Sequence, residues 1–204
     1  METVFKKEVD HVVNQLGQLD WADKSLYIKF LAQTYYYVCH SVPLLKYALK
    51  YSDNNEVSKR LEDHIKEESG HEKMVLSDLN FFNEDIKAYK ESESSKKMYT
   101  YVYNSIEKNG PIAIFAYALL LEGVAKYGCP ELAKSLEGLY GKKSASFIYH
   151  HGVLDQDHVE EGFDSLGMFN KKELAVFEED LKQAAANYID MIAELQQCHK
   201  EAAA

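Results

Sequence analysis

The chain has 204 residues, 46% of them hydrophobic, which suits one compact domain spanning 1–204 with a substantial core. Three prolines and ten glycines are too few for a disordered or turn-rich all-β protein. The formal net charge of −10 argues against a nucleic-acid partner, and Arg60 is the sole arginine, which disfavours guanidinium-fork recognition of polyphosphates.

Hydrophobic periodicity is helical nearly throughout. Residues 4–19 read as a first amphipathic helix with Phe5, Val9, Val12, Val13 and Leu16 inward. Asp23 is the expected N-cap of a second helix running to about residue 40, bent or restarted at Pro43 and continued over 44–51. Residues 55–82 read as a third helix, and the polar stretch 91–97 leads into a fourth through Tyr99, Val102 and Ile106. Asn109-Gly110-Pro111 is a break with Pro at a helix start. The fifth helix, 111–127, is apolar almost all round and is therefore expected at the centre. Its apolar run, 111–121, is shorter than the roughly 20 residues that cross a bilayer. Gly128-Cys129-Pro130 is expected to end it. Helices over 130–140, 144–163 and 171–199 follow, the last with Leu174, Phe177, Leu181, Tyr188, Ile192 and Leu195 on one stripe. No segment alternates as a strand does. The expected class is all-α, a single-domain bundle of about seven to eight helices.

Cys39, Cys129 and Cys198 are far apart and odd in number, which favours a reducing compartment over a disulfide framework. Residues 1–10 mix charged and apolar side chains without a signal-peptide core, so a cytoplasmic protein with no membrane partner is expected.

Two short stretches share one spelling. His64, Glu68 and His71 are spaced by four and three residues, as are His151, Asp155 and His158. On a continuous helix each set lies on one face, pointing two imidazoles and a carboxylate the same way. First-row transition metals use that ligand set for oxygen chemistry. Glu67 competes with Glu68, since helix geometry does not choose between them; the spacing of Asp155 favours Glu68. Asp157 and His150 fall off the second face. Glu122 is the sole charged residue from 111 to 125, and a carboxylate buried there needs a cation or hydrogen-bond donors. A buried salt bridge or a protonated acid would also satisfy it. Gly70, Gly123 and Gly152 each adjoin a candidate ligand inside an expected helix, where they would allow close helix approach around a metal or clear room for dioxygen and substrate; ordinary close packing explains them equally well. Asp78 either orients a ligand or is solvated at the helix end, and Tyr35, Tyr36, Tyr37 and His40 line a pocket or simply pack.

The run His64-x-x-Glu67-Glu68-x-Gly70-His71-Glu72, followed by Leu76-x-Asp78-Leu79, resembles the third-helix signature of the haem-oxygenase-like di-iron oxidases, also called iron-containing redox enzymes. A lone Glu in an apolar helix, Glu122, and then His151-x-x-x-Asp155-x-x-His158 resemble that group in order, over essentially the whole chain. The resemblance implies a haem-oxygenase-like fold of the TENA/PqqC kind and an enzyme that uses dioxygen to oxidise a small organic substrate such as an amino or fatty acid. It implies Glu68, His71, Glu122, His151, Asp155 and His158 as ligands to Fe(II), two ions per chain, with Glu122 as the natural bridge. Some members carry a carboxylate where this chain has His64, which leaves open whether His64 or Glu67 contacts the metal, and one ion versus two. Haem oxygenases proper use a His on the N-terminal helix, for which His11 is a poor stand-in, and none of the three cysteines matches the nucleophile of the thiaminase-like branch.

Electrons would come from the substrate or an external reductant, and the long last helix offers a face for a homodimer. Two alternatives stand beside this reading. One is a cofactor-independent PqqC/TenA-like enzyme whose histidines act as general acids and bases. The other is a non-enzymatic helical protein that binds a small molecule or a metal.

Overall fold

In a computed structural model, residues 1–154 and 157–203 are described, without the side chains of residues 202 and 203. Ten α-helical segments and no strand occur among the described residues. They are α1 Glu2–Leu16, α2 Lys24–Val38, α3 Ser41–Leu49, α4 Asn55–Glu68, α5 His71–Phe81, α6 Glu93–Asn109, α7 Ile112–Tyr140, α8 Ser146–Tyr149, α9 His158–Ser165 and α10 Lys171–Ala203. A π-helical turn, His150–Leu154, follows α8.

Short polar side chains start several of these helices by satisfying amide groups that lack a partner inside the helix. Asp23 accepts from Ser25 N and Leu26 N at 2.8 and 3.1 Å, as its sequence position predicts. Asn54 caps α4, Ser92 caps α6, and the Asn170 side chain accepts from Lys172 N at the head of α10.

Helix α7 is the axle. It packs against α10, α1, α6, α8 and α9, while α2 packs against α5, α6 and α10. By length and composition α7 could cross a bilayer, but 72% of its apolar window is buried inside the fold, so packing accounts for its hydrophobicity. Phe177, Leu181, Tyr188, Ile192 and Leu195 of α10 are buried along the stripe that the sequence marks, and Leu174 is half-buried. One continuous cluster of buried apolar side chains runs through the helices.

Three helix boundaries differ from the sequence reading. The expected helix over 55–82 is two helices. Gly70 takes φ 104°, a left-handed conformation open to glycine, and the chain turns there between α4 and α5. The expected helices over 111–127 and 130–140 are one. Pro130 sits inside α7 and withholds a single backbone donor, which the packing on both sides outweighs. The expected helix over 144–163 is divided into α8, the π turn and α9. The turn lies directly on α7. A Cβ built on Gly152 would come within 2.5 Å of the Cys129 Cβ and 2.9 Å of its backbone carbon, so only glycine permits that approach. Gly123 serves the contact of α7 with Phe5 and Val9 of α1 in the same way.

Candidate metal centre

Five elements bring the donors together. Helix α4 supplies His64 and Glu68, the first residue of α5 supplies His71, α7 supplies Glu122, and His151 and His158 come from the π turn and the start of α9. The turn at Gly70 sets His71 on a different axis from His64 and Glu68, and His151 belongs to the π turn whereas His158 starts α9. The donors meet in space all the same, with the members of each triplet redistributed. Asp155, with Gln156, lies outside the described residues.

Two groups of three donors result. Glu68, His71 and His151 form one, and His64, Glu68 and Glu122 the other, with the ligand atoms of each group within 4.8 Å of one another. Glu68 is common to both. Its Oε1 lies 3.8 Å from His64 Nε2 and its Oε2 lies 3.4 Å from His71 Nδ1. The carboxylate between the two groups is thus Glu68, where the sequence reading favours Glu122. His158 Nδ1 lies 3.5 Å from Glu122 Oε1, which extends the second group. Glu67 is elsewhere, paired with Arg60 at 2.9 Å. Arg60 also reaches Glu161 at 3.4 Å and so ties α4 to α9.

The hydrogen bonds set the tautomer of His151. Its Nδ1 lies 3.0 Å from the carbonyl oxygen of Phe147, which can only accept, so Nδ1 carries the proton and donates. Its Nε2 then presents a lone pair towards His71 Nδ1 at 3.0 Å. A carbonyl accepting from one ring nitrogen and a lone pair on the other is the arrangement that metal-binding histidines adopt. Phe147 is held in turn by Asp78. That carboxylate, fully buried, accepts from the Phe147 amide at 3.0 Å, from the Ser146 amide at 2.9 Å and from the Ser146 hydroxyl. Asp78 is therefore neither solvated nor among the donors; it anchors the start of α8. Burial raises its pKa, and these hydrogen bonds oppose that rise.

Burial shapes the charges. Desolvation works against the Glu68 carboxylate, but the hydrogen bond from His71 and the fields of His64, His71 and His151 outweigh it and pull its pKa down to about 2. Desolvation lowers the pKa of His64 despite Glu68 and Glu122 nearby, which favours the neutral imidazole that a metal requires.

The donor set fits first-row metal ions. Two histidines and one carboxylate, as in Glu68, His71 and His151, form the set associated with non-haem Fe(II). Donors bound at about 2.1 Å to one ion in a tetrahedral or facial arrangement lie about 3.0–3.4 Å apart, and the pairs Glu68 Oε2–His71 Nδ1 at 3.4 Å and His71 Nδ1–His151 Nε2 at 3.0 Å already have that spacing. Most telling, Glu122 Oε2 is buried without a hydrogen-bond partner among the described residues. A carboxylate oxygen left bare in that position is costly, and a cation removes the cost.

Beside the donors lies an apolar cavity of about 80 Å³. His64, Glu68, Glu122 and His151 lie in its wall, and side chains of α1, α2, α3, α7, α8 and α10 form the rest. Of the aromatic residues of α2 that the sequence singles out, Tyr37 lines it. Tyr36 bonds to the Tyr89 carbonyl, and His40 stacks on Tyr99 with ring centroids 3.6 Å apart. His11 is exposed on α1 beside Glu8. Cys129 lines the cavity, but burial, with Glu122 adding, pushes its thiol pKa up to about 12.

Two residues next to the site escape sequence reasoning. The His150 ring lies 5.1 Å from that of His71, because the π turn shifts the face that an α-helix would present. The adjacent His150-His151 pair is the signal that was present. Tyr117 lines the cavity from α7 with a buried hydroxyl, and its sequence position, in an apolar helix five residues before Glu122, is the only hint.

The sequence matches no protein-family model and no curated protein. Solved structures match across nearly the whole chain. A domain of unknown function with a haem-oxygenase-like fold from Shewanella denitrificans OS217 is similar with a TM-score of 0.79 and 19% identity, over 98% of this chain and 88% of that one. A TenA homolog from Pseudomonas syringae pv. tomato DC3000 is similar with a TM-score of 0.75 and 11% identity, over 96% of this chain and 90% of that one. The protein has the haem-oxygenase-like, TenA-like all-α fold. At these identities the likeness speaks to the fold alone.

Proposed function

We propose that the chain is a non-haem iron enzyme, a two-iron, O2-dependent oxidase or oxygenase acting on a small organic substrate. One observation carries the reading: Glu68 lies between two groups of imidazole and carboxylate donors, next to a Glu122 oxygen that has no protein partner among the described residues. His71 and His151 with Glu68 would hold one ion, and His64 with Glu68, Glu122 and His158 the other. Bound there, iron supplies the redox chemistry with dioxygen that protein side chains lack.

The chain itself contributes placement. The Phe147 carbonyl keeps the Nε2 lone pair of His151 on the donor side. The apolar walls exclude water from the reacting space, which strengthens every electrostatic interaction within it. Electrons come from the substrate or from an external reductant, and the cytoplasm is the compartment in which reduced iron and three free cysteines are compatible. Anaerobic titration with Fe(II), followed by oxygen uptake, tests the reading. Binding of about two ions per chain and iron-dependent oxygen consumption support it. Protein that ignores Fe(II) both with and without oxygen refutes it.

A second reading rests on the contact between His151 Nε2 and His71 Nδ1 at 3.0 Å, which could relay a proton without a metal. A cofactor-independent enzyme would use that pair beside Glu68, in keeping with the likeness to a TenA homolog. Elemental analysis of the purified protein separates the two readings, and a metal-binding protein without catalysis would take up iron but consume no oxygen.

A further inference from the structure

We infer that Arg60 is a positioning residue for the second donor group: by gripping Glu161 of α9 it sets His64 against His158, and by gripping Glu67 it keeps a surplus carboxylate away from the metal. The inference deepens the proposed function and rests on its metal reading.

Register comes first. Arg60 precedes His64 by four residues on α4, and Glu161 follows His158 by three on α9. Residues so spaced share a helix face. The ion pair of Arg60 with Glu161, at 3.4 Å, therefore joins the two helices that have to bring His64 and His158 to one ion, and joins them one turn away from that ion. Arg60, His64, Glu122 and His158 also line one small cavity of about 20 Å³, the space of about one water.

Support comes next. Helix α4 carries two donors, yet it packs chiefly against α3 and ends at the turn on Gly70. Helix α9 packs against α7, where a Cβ built on Gly162 would come within 2.6 Å of Leu119. Thus α7 fixes α9, whereas α4 lacks comparable packing on α7. A guanidinium that reaches carboxylates on both α4 and α9 supplies a tie between them.

Charge is the third consideration. An exposed ion pair contributes little. The Arg60 side chain is only 20% exposed and holds two carboxylates, at 2.9 and 3.4 Å, so it is better placed than such a pair. One positive and two negative charges leave the trio negative, so Arg60 does not repel a cation at the neighbouring donors. Without Arg60, Glu67 would be an unneutralised carboxylate next to Glu68, and its field already reaches His64.

The test titrates metal-stripped, full-length protein with Co(II), an air-stable stand-in for Fe(II), by calorimetry. The wild type is expected to bind two ions. Arg60→Ala is expected to weaken one of the two steps about tenfold and to spare the other. The same substitution in a Glu122→Ala background, where the second group is already broken, is expected to change nothing further. Exchanging the pair, Arg60→Glu with Glu161→Arg, again sets one cation between two carboxylates and is expected to recover most of the loss. Glu161→Gln, at an exposed position, is expected to weaken the same step. Wild-type affinities in both Arg60→Ala and Glu161→Gln overturn the inference. So does an equal loss in the Glu122→Ala background, or an exchanged pair that folds yet binds no better than Arg60→Ala. A wild type that binds no Co(II) overturns the metal reading and this inference with it, whereas two ions bound alike by every variant count against this inference alone.

Discussion

His151 and His71 meet nitrogen to nitrogen at 3.0 Å across the gap between the π turn and α5, and the other nitrogen of His151 is fixed by the Phe147 carbonyl. Residues eighty positions apart in sequence thus share one pocket of donors with Glu68. The consequences of that junction can be measured.

Glu68 and Glu122 differ in what their loss removes. Glu68→Ala takes a ligand from both groups and is expected to reduce iron uptake to a small fraction of the wild-type value. Glu122→Ala leaves Glu68, His71 and His151 intact and is expected to retain about half of the bound iron. Iron stoichiometry by elemental analysis of desalted protein checks both.

Gly70→Ala places a Cβ on a residue at φ 104°. The left-handed conformation costs about 1–2 kcal/mol for an L-residue, or a fall of roughly 2–8 °C in Tm for a chain of this size. Nothing lies within 4 Å of the added Cβ, so backbone strain alone is tested. Iron affinity is expected to fall as well, because Gly70 sets the entry of His71 into α5. Calorimetry and metal titration on the same preparation measure the two effects.

Asp78→Ala removes three hydrogen bonds at the head of α8 and leaves two amide donors buried or half-buried. A loss of about 2–4 kcal/mol of stability is expected. Asp78→Asn keeps one acceptor oxygen and should recover part of it. Denaturant unfolding provides the comparison, and the chemical shift of the His151 ring reports whether the π turn has moved.

The cysteines should separate by reactivity. Cys198 is exposed, whereas Cys129 is buried with its thiol pKa pushed up to about 12. At pH 8 iodoacetamide is expected to modify Cys198 and to spare Cys129 until the protein unfolds. Mass spectrometry of the labelled peptides reads the order. Rapid labelling of Cys129 in folded protein would revive a thiol nucleophile in the cavity.

The gathering of the donor residues was more legible in the sequence than the helix boundaries that bring it about. Asp23, the apolar character of α7 and the stripe on α10 are visible because caps and periodicity are local signals. The turn at Gly70 is concealed because His64, Glu68 and His71 keep helical spacing across it; the glycine is the one residue that betrays the change of axis. Pro130 misleads in the other direction, since tertiary packing carries α7 through a residue that ordinarily stops a helix. Helix geometry cannot choose between Glu67 and Glu68, yet Arg60 lies seven residues before Glu67 on the same face and claims it, leaving Glu68 for the histidines. The exchange of partners between the triplets, His151 with His71 and His158 with Glu122, depends on the π turn, for which the local sequence carries no periodic mark.

The most direct measurement is anomalous diffraction at the iron edge from crystals grown anaerobically with Fe(II). Two peaks are predicted, one among Glu68, His71 and His151 and one among His64, Glu68 and Glu122, with Glu68 touching both. A map with no iron within reach of Glu68 would contradict a metal centre in this protein.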